Sequence, residues 1–568
     1  MEEELSLNEI LTLPNYIPLN VPYNQPLKEY IDKTPYIHLY KVIRSNIAIV
    51  YVDENKLKEA FDRLGNNRIY LLPSVMTTLG RTELEASGII QIQEQPYLDL
   101  KGQGVLIGII DTGIDYTSGS FKYEDGTSKI KYIWDQTIEG NAPEGYHFGS
   151  EYTNEQINEA LSSPNPYEKV PHIDEDGHGT FIAAEAAGKE DSDHIGAAPE
   201  AELIVVKLKE AKGYLRERYT VPKDAKNVFM STSVMIGIEY MLDKAQELRM
   251  PISICISTGT NISGHDSFDI LEDYLSAISV QDSVCVCTAA GNESHAKHHT
   301  NGKIDKDKGN VDIEIKVPVN AESFQVYIWN NPQDKFSVSM KTPTGELINR
   351  IPARPGKAYE TNLVFEKSKV KVEYYFPMIG SGSEYILITI TNPTPGIWTI
   401  TLHGDILFDG TYHAWLPITG LISKGIEFLN PTPNCTIVVP ATTVGSITVG
   451  GYNNRDGSLY INSSWGPTRT PVISPDLVAP GVSVAGIYPD GPGVMSGTSV
   501  ATAIATGACA LMMQWGIVQG NDISLNTYVI RSFLIRGCIR DPNIEYPSVQ
   551  WGYGKINLLN TFNQIRSK

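Results

Sequence analysis

The sequence predicts an α/β fold: a parallel sheet flanked by helices, with a small α+β unit ahead of it and an all-β sandwich inserted into it. Three observations lead there. From about residue 104 to about 300, continuous apolar strands alternate with amphipathic helices, the pattern of a parallel sheet covered on both faces. From about 300 to about 435 that alternation gives way to short strand-like runs separated by turn signals, with no helical stretch. From Gly445 onward the α/β pattern resumes, so the β unit interrupts the α/β unit and is not appended to it. A length of 568 residues suits several cores better than one.

The leading unit is read over residues 1–80. Asn46 to Val52 is a strand, and Leu57, Ala60, Phe61 and Leu64 share one face of a helix over Glu54 to Leu64. Gly65-Asn66-Asn67 ends the helix, and Ile69 to Leu72 forms a second strand. A Pro73-Ser74 turn and a polar tail, Met76-Thr77-Thr78-Leu79-Gly80, follow. The first part of the α/β unit covers 81–300. Its strands are Val105 to Ile110, Ala201 to Val206, Ile252 to Ile256 and Val284 to Ala289, with a helix over Met235 to Leu248. Between the first two strands lies a long polar insertion containing Ile133-Trp134-Asp135-Gln136 and Glu151 to Asn158. The sandwich covers 301–435, with strands such as Val311 to Val317, Phe324 to Trp329, Tyr385 to Ile390 and Trp398 to Leu402. The second part of the α/β unit covers 436–568.

Composition removes several function classes. The formal charge of -20 repels phosphate backbones and anionic lipid headgroups, so nucleic acid is excluded as a partner. No apolar run approaches the roughly 20 residues that span a bilayer. The N-terminus, Met1-Glu2-Glu3-Glu4-Leu5, is acidic where a secretory signal is basic. The six cysteines sit mostly in apolar runs and read as buried free thiols, not as disulfides or a zinc site; Cys285 and Cys287 share one strand face.

Four short segments carry chemistry. Asp111 stands at the carboxyl end of an apolar strand, where open α/β sheets gather their active groups. His178 lies in Asp176-Gly177-His178-Gly179-Thr180 ahead of an alanine-rich helix, and its glycines allow close backbone approach. Asn292 follows Thr288-Ala289-Ala290-Gly291 at another strand end. Ser499 opens an apolar helix, where the dipole favours developing negative charge. Singly these are a structural carboxylate, a loop histidine, a turn asparagine and a helix cap. As a set they supply what a serine nucleophile needs: a base, a carboxylate to orient that base, and an amide donor for the oxyanion.

The order and local contexts of Asp111, His178, Asn292 and Ser499 resemble the subtilisin-like serine proteases. Ile195 to Leu203, Ser464-Trp465-Gly466-Pro467, Pro475 to Gly481 and Trp551 to Asn557 resemble further segments of that family. The resemblance implies Asp111, His178 and Ser499 as the catalytic triad and Asn292 as the oxyanion donor. It implies Ser257, Thr258 and Gly259 as the edge that pairs with substrate backbone. Gly259 with Ala289, Ala290 and Gly291 would line the first specificity pocket. The long insertion, the β unit after Asn292 and the stretch Ala510 to Val518 narrow it to clostridial subtilases, the Csp germination proteases above all. There the leading unit is a prodomain that chaperones folding, the β unit is a jelly roll, and the substrate is a cortex-hydrolase zymogen. Self-cleavage is expected near Thr78, Leu79 or Gly80, with synthesis in the cytoplasm and deposition in the spore cortex or coat region.

Two other readings stand beside this one. The fold could serve as a catalytically silent scaffold or germination signal receptor, or as a clostridial subtilase of unrelated proteolytic role. The β unit could bind carbohydrate through Trp329, Trp398 and Trp415, although these are better placed in a sandwich core. The departure from other subtilisins just after Ser499, Val500-Ala501-Thr502-Ala503-Ile504, falls outside the chemistry. No cofactor and no metal are required. The family allows structural calcium, but Asp174-Glu175-Asp176 and Asp191-Ser192-Asp193 read as solvated turns.

Overall fold

The computed structural model describes residues 7–43, 47–64, 72–73, 75–78, 86–189 and 194–566. Its frame is an eight-stranded sheet. In spatial order the strands are Leu477–Pro480, Ile447–Tyr452, Val284–Ala289, Ile252–Ile256, Leu106–Asp111, Glu202–Lys207, Ile130–Asp135 and Ser150–Thr153. All neighbours run parallel except the last pair, which closes the edge antiparallel. The expected α/β sheet is therefore present, with one change. The segment read as a polar insertion supplies two strands of the same sheet, because Ile130, Ile133 and Trp134 are fully buried on it.

Strand side chains alternate between two cores. Ile107 and Ile109 join the helices His178–Ala187 and Thr498–Met513 on one face. Leu106 and Ile110 join Ser231–Leu248 and Ile270–Ile278 on the other. Burial on both faces is why these strands read as unbroken apolar runs. Strand Leu106–Asp111 lies at the reversal of strand order, between a neighbour that leads to one edge and a neighbour that leads to the other. Ligands of open α/β sheets sit outside the carboxyl ends at such a point.

Helix Thr498–Met513 is buried at every position. Its continuation to Val518 is, among the described residues, the one helix long and apolar enough to cross a membrane, and 89% of that window is buried within the fold. The sequence expectation of no such stretch missed it because alanine, threonine and glycine dilute the run.

Between Val284–Ala289 and Ile447–Tyr452 the chain forms two antiparallel sheets, one of six strands and one of five. Phe324, Val326, Ile328, Ile386, Ile388 and Ile390 face the second sheet. The alternate residues Tyr327, Trp329, Tyr385 and Leu387 face the rest of the molecule. Strand Phe324–Asn330 is thus buried at all positions. This corrects one expectation. Trp398 lies between the two sheets, but Trp329 and Trp415 pack at the junction outside them, as the period of two requires.

The N-terminal residues form a three-stranded antiparallel sheet, ordered Tyr16–Pro22, Ile47–Asp53, Ile37–Ile43, with helices Leu7–Thr12, Gln25–Ile31 and Leu57–Leu64. Ile17, Leu19, Val50 and Val52 share a core with Trp329 and Trp415, while Ile49 and Tyr51 join the α/β core. Polar ties reinforce the docking: Tyr40 Oη donates to Tyr146 O at 2.7 Å, and Lys212 Nζ to Leu13 O at 3.0 Å. Of the expected strand Ile69 to Leu72, only Leu72 falls among the described residues, and Gly65-Asn66-Asn67 and Asp191-Ser192-Asp193 lie outside them.

Candidate active site

Asp111 is the last residue of its strand and is fully buried. Its Oδ1 accepts from His178 Nδ1 at 2.7 Å and from the Thr112 amide at 2.7 Å, and its Oδ2 accepts from Ser257 Oγ. Burial alone pushes this carboxyl up. The adjacent His178 charge and the hydrogen bonds outweigh burial and hold its pKa below the ordinary aspartate value.

His178 is the first residue of helix His178–Ala187 and is 5% exposed. The start of that helix is fixed by Asp174. Its Oδ1 accepts from Gly177 N at 3.0 Å and Thr112 Oγ1 at 2.8 Å; its Oδ2 accepts from Thr180 N at 2.8 Å and Thr180 Oγ1 at 2.6 Å. Thr112 Oγ1 in turn accepts from Gly179 N at 2.9 Å. Strand end and helix start are thereby locked together. Gly179 is required for this approach, since a Cβ there would stand 2.2 Å from Gly113 O. Asp174 is not part of a solvated turn, as its sequence context suggested. Its buried carboxylate meets four protein donors, which does not fit a calcium ligand.

Ser499 is the second residue of helix Thr498–Met513 and is fully buried, with its Oγ 3.5 Å from Ser257 O. Asn292 is tied to the same helix start: Thr498 N donates to Asn292 Oδ1 at 3.1 Å, and Gly291 N donates to Thr498 Oγ1 at 3.1 Å. Binding the Asn292 oxygen to the helix fixes which end of its amide is the donor end. Gly291 has φ +104°, and a Cβ there would lie 2.6 Å from Val438 Cγ1. Ser464 holds this loop, donating from its amide to Gly291 O at 2.8 Å and accepting from Glu293 N at 3.0 Å.

The structure thus brings Asp111, His178, Ser257, Asn292 and Ser499 to the carboxyl ends of adjacent strands. Thr258–Gly259 is a short strand beside them. It pairs antiparallel with Val75–Thr78, Thr258 opposite Thr78 and Gly259 opposite Thr77. The far side of Val75–Thr78 pairs with Phe229–Met230. The tail of the N-terminal unit therefore lies as the middle strand of three, running toward Ser257 and Ser499. Leu79 and Gly80 lie outside the described residues. Ala289 ends its strand, and Ala290 is bonded on both sides, to Val449 O and from Val438 N, at 3.0 Å each.

Sequence reasoning missed several members. Ser257 was expected to contribute backbone, yet its hydroxyl binds Asp111. Asp174 carried a legible signal, an acidic side chain three residues before the glycine that precedes the helix. His172 and Asp135 carried none, being far apart in the chain. His172 Nδ1 binds Asp135 Oδ2 at 2.7 Å, and His172 Nε2 accepts the Ile114 amide at 3.1 Å, which holds the loop after Asp111.

All six cysteines are free and buried. Among the described residues, Cys285, Cys287 and Cys509 are the one group of three or more metal-ligating side chains close enough together to share an ion.

Residues 102–323 and 427–554 match the subtilase family of peptidases. A solved structure of the Clostridium perfringens CspB protease is 30% identical and superposes with a TM-score of 0.76, covering 85% of this chain and 98% of that one. The subtilase-type proteinase RRT12 of Saccharomyces cerevisiae is 30% identical over 110 residues, so the match spans 18% of this chain and 21% of that relative. The epidermin leader peptide processing serine protease of Staphylococcus aureus is 13% identical with a TM-score of 0.48.

Proposed function

The chain belongs to the subtilase family, and from that premise we propose that it is a serine endopeptidase whose nucleophile is Ser499, whose general base is His178 and whose orienting carboxylate is Asp111. The observation that carries this reading is the extended segment Val75–Thr78, held between two strands and directed at Ser499 as a polypeptide substrate would be.

In the proposed reaction Ser499 Oγ bonds to the scissile carbonyl carbon while its proton passes to His178 Nε2. Asp111, accepting from Nδ1, supports the imidazolium that results. The carbonyl π electrons move to the oxygen, which the Asn292 amide and the helix N-terminus stabilise. The oxyanion collapses, the C–N bond breaks, and His178 returns the proton to the leaving amine. A water then repeats the sequence on the acyl-enzyme.

The first substrate is the chain itself, cut near Thr78, Leu79 or Gly80. Residues 1–80 act as a prodomain and residues 301–435 as an inserted jelly roll. The second substrate is a protein. The likeness to CspB supports the zymogen of a cortex-degrading hydrolase, cut during spore germination by enzyme deposited in the cortex or coat region. No cofactor takes part in the chemistry; structural calcium would have to bind away from Asp174.

N-terminal sequencing of wild type and Ser499→Ala tests the first cut. Wild type should begin near residue 80 and the variant at its unprocessed N-terminus; the same processed terminus in both would defeat self-cleavage. Incubation of the processed enzyme with a candidate hydrolase zymogen, with the cut mapped by mass spectrometry, tests the second.

A further inference from the structure

The segment that runs toward Ser499 also contributes to the wall of a pocket. Six residues ahead of Thr78, Leu72 is 6% exposed. It lines a pocket with Asn20 of the N-terminal unit, with Tyr219, Ile262 and Asp269 of the α/β unit and with Trp329, Met378 and Tyr385 of the inserted sheets. An extended chain covers at most about 20 Å over that interval. The wall is held firmly: Trp329 stacks on Tyr385 with ring centroids 4.5 Å apart, and the Arg469 guanidinium lies 5.2 Å from the Trp329 ring. The buried Trp329 indole N–H has no hydrogen-bond partner among the described residues. A substrate carbonyl could supply one. About 40 Å³ of the pocket remains unfilled, room for a side chain bulkier than leucine.

We propose that this pocket is a distal substrate subsite built by the inserted sheets. Leu72 occupies it before processing. Afterwards it takes an apolar side chain, leucine, methionine or phenylalanine, about seven to nine residues upstream of the bond cut in a protein substrate. The proposal rests on the peptidase reading above. It assigns the insert a specificity role, because three of the walls named are its own.

Two peptides with the sequences of residues 75–84 and 70–84 test it on the processed enzyme. The longer should be cut with kcat/KM about 10- to 100-fold higher, through KM, as burial of one leucine side chain allows. Leu72→Asp in the peptide should abolish that gain, and Leu72→Phe should keep it. On the enzyme, Trp329→Ala should reduce the gain for the leucine peptide but not act further on a Leu72→Ala peptide, a double-mutant coupling. Met378→Ala makes the same comparison with a smaller truncation if Trp329→Ala fails to fold. Equal kcat/KM for both peptides, or enzyme losses independent of the residue at position 72, would overturn the subsite and leave the peptidase reading intact. A self-cleaved enzyme that cuts neither peptide would also overturn it, by showing that the N-terminal unit keeps the pocket. Absence of self-cleavage together with absence of peptide cleavage would sink the peptidase reading itself.

Discussion

Two buried aspartate–histidine pairs flank the loop that follows strand Leu106–Asp111, and they differ in one respect. In each, Nδ1 meets a carboxylate oxygen at 2.7 Å. Both carboxyls are pushed up by burial and pulled further down by the histidine and neighbouring donors, ending below the ordinary aspartate value. The ring of His172 is fully buried, and its second nitrogen accepts the Ile114 amide. The ring of His178 keeps 5% exposure. The same pair is a structural pin where the ring is wholly enclosed, and a proton carrier in the proposed reaction where the ring keeps some exposure. Geometry of the pair alone therefore identifies no active site.

Paired substitutions can break this contrast. His178→Ala should cost about 10⁶-fold in kcat, the scale set by losing the base of such a triad, and on the order of 3–5 kcal/mol of stability, because it leaves the Asp111 carboxylate buried without its histidine. Asp111→Asn should cost about 10⁴-fold by favouring the wrong tautomer. His172→Ala leaves the Asp135 carboxylate buried without its partner and should cost stability on the same scale, about 3–5 kcal/mol by denaturant titration. Activity per folded molecule should then fall by about 10²-fold or less. Equal losses of activity per folded molecule from both histidine variants would erase the distinction.

Acid should weaken both pairs together. A depressed carboxyl pKa contributes stability that is complete above its unfolded value, 3.8, and is lost as pH falls through the depressed one. Melting temperatures recorded downward from pH 6 should hold until about pH 4 before this contribution fades. Asp135→Asn should flatten that acid limb.

Glu384 sharpens the point with a smaller effect. Its carboxylate accepts from neutral donors, Phe336 N at 2.7 Å and Asn330 Nδ2 at 2.9 Å, and burial pushes its pKa up to about 7. Its contribution is therefore present below the unfolded value of 4.5 and lost as pH rises through about 7, opposite in sign to the histidine pairs. Glu384→Gln should change the stability difference between pH 5 and pH 8 by on the order of 1–3 kcal/mol relative to wild type. An unchanged difference would mean that burial does not govern this carboxyl.

Much of the site was legible locally. Asp111, His178, Asn292 and Ser499 each stand beside glycine or at the end of an apolar run, and those contexts mark strand ends and helix starts. The members that were missed act across long sequence separations. Ser257 reaches Asp111 through its side chain, where only its backbone was expected to matter. Asp135 lies in a segment that looked like an insertion because its strand sits near the sheet edge, next to polar turns. Trp329 and Trp415 were expected inside the sandwich because alternation reveals two faces without revealing what covers the outer one.

What the sequence determined by itself is local: apolar period, strand ends, helix starts and the order of the chemical groups, all set by interactions within a few residues. The tertiary structure decided which of two aspartate–histidine pairs of equal length keeps an exposed ring. It decided that the outer face of a six-stranded sheet lies against the α/β unit, and that Val75–Thr78 runs between Phe229–Met230 and Thr258–Gly259. Those outcomes depend on which surfaces lose water to one another, and that is a property of the assembled core and not of any short stretch of chain.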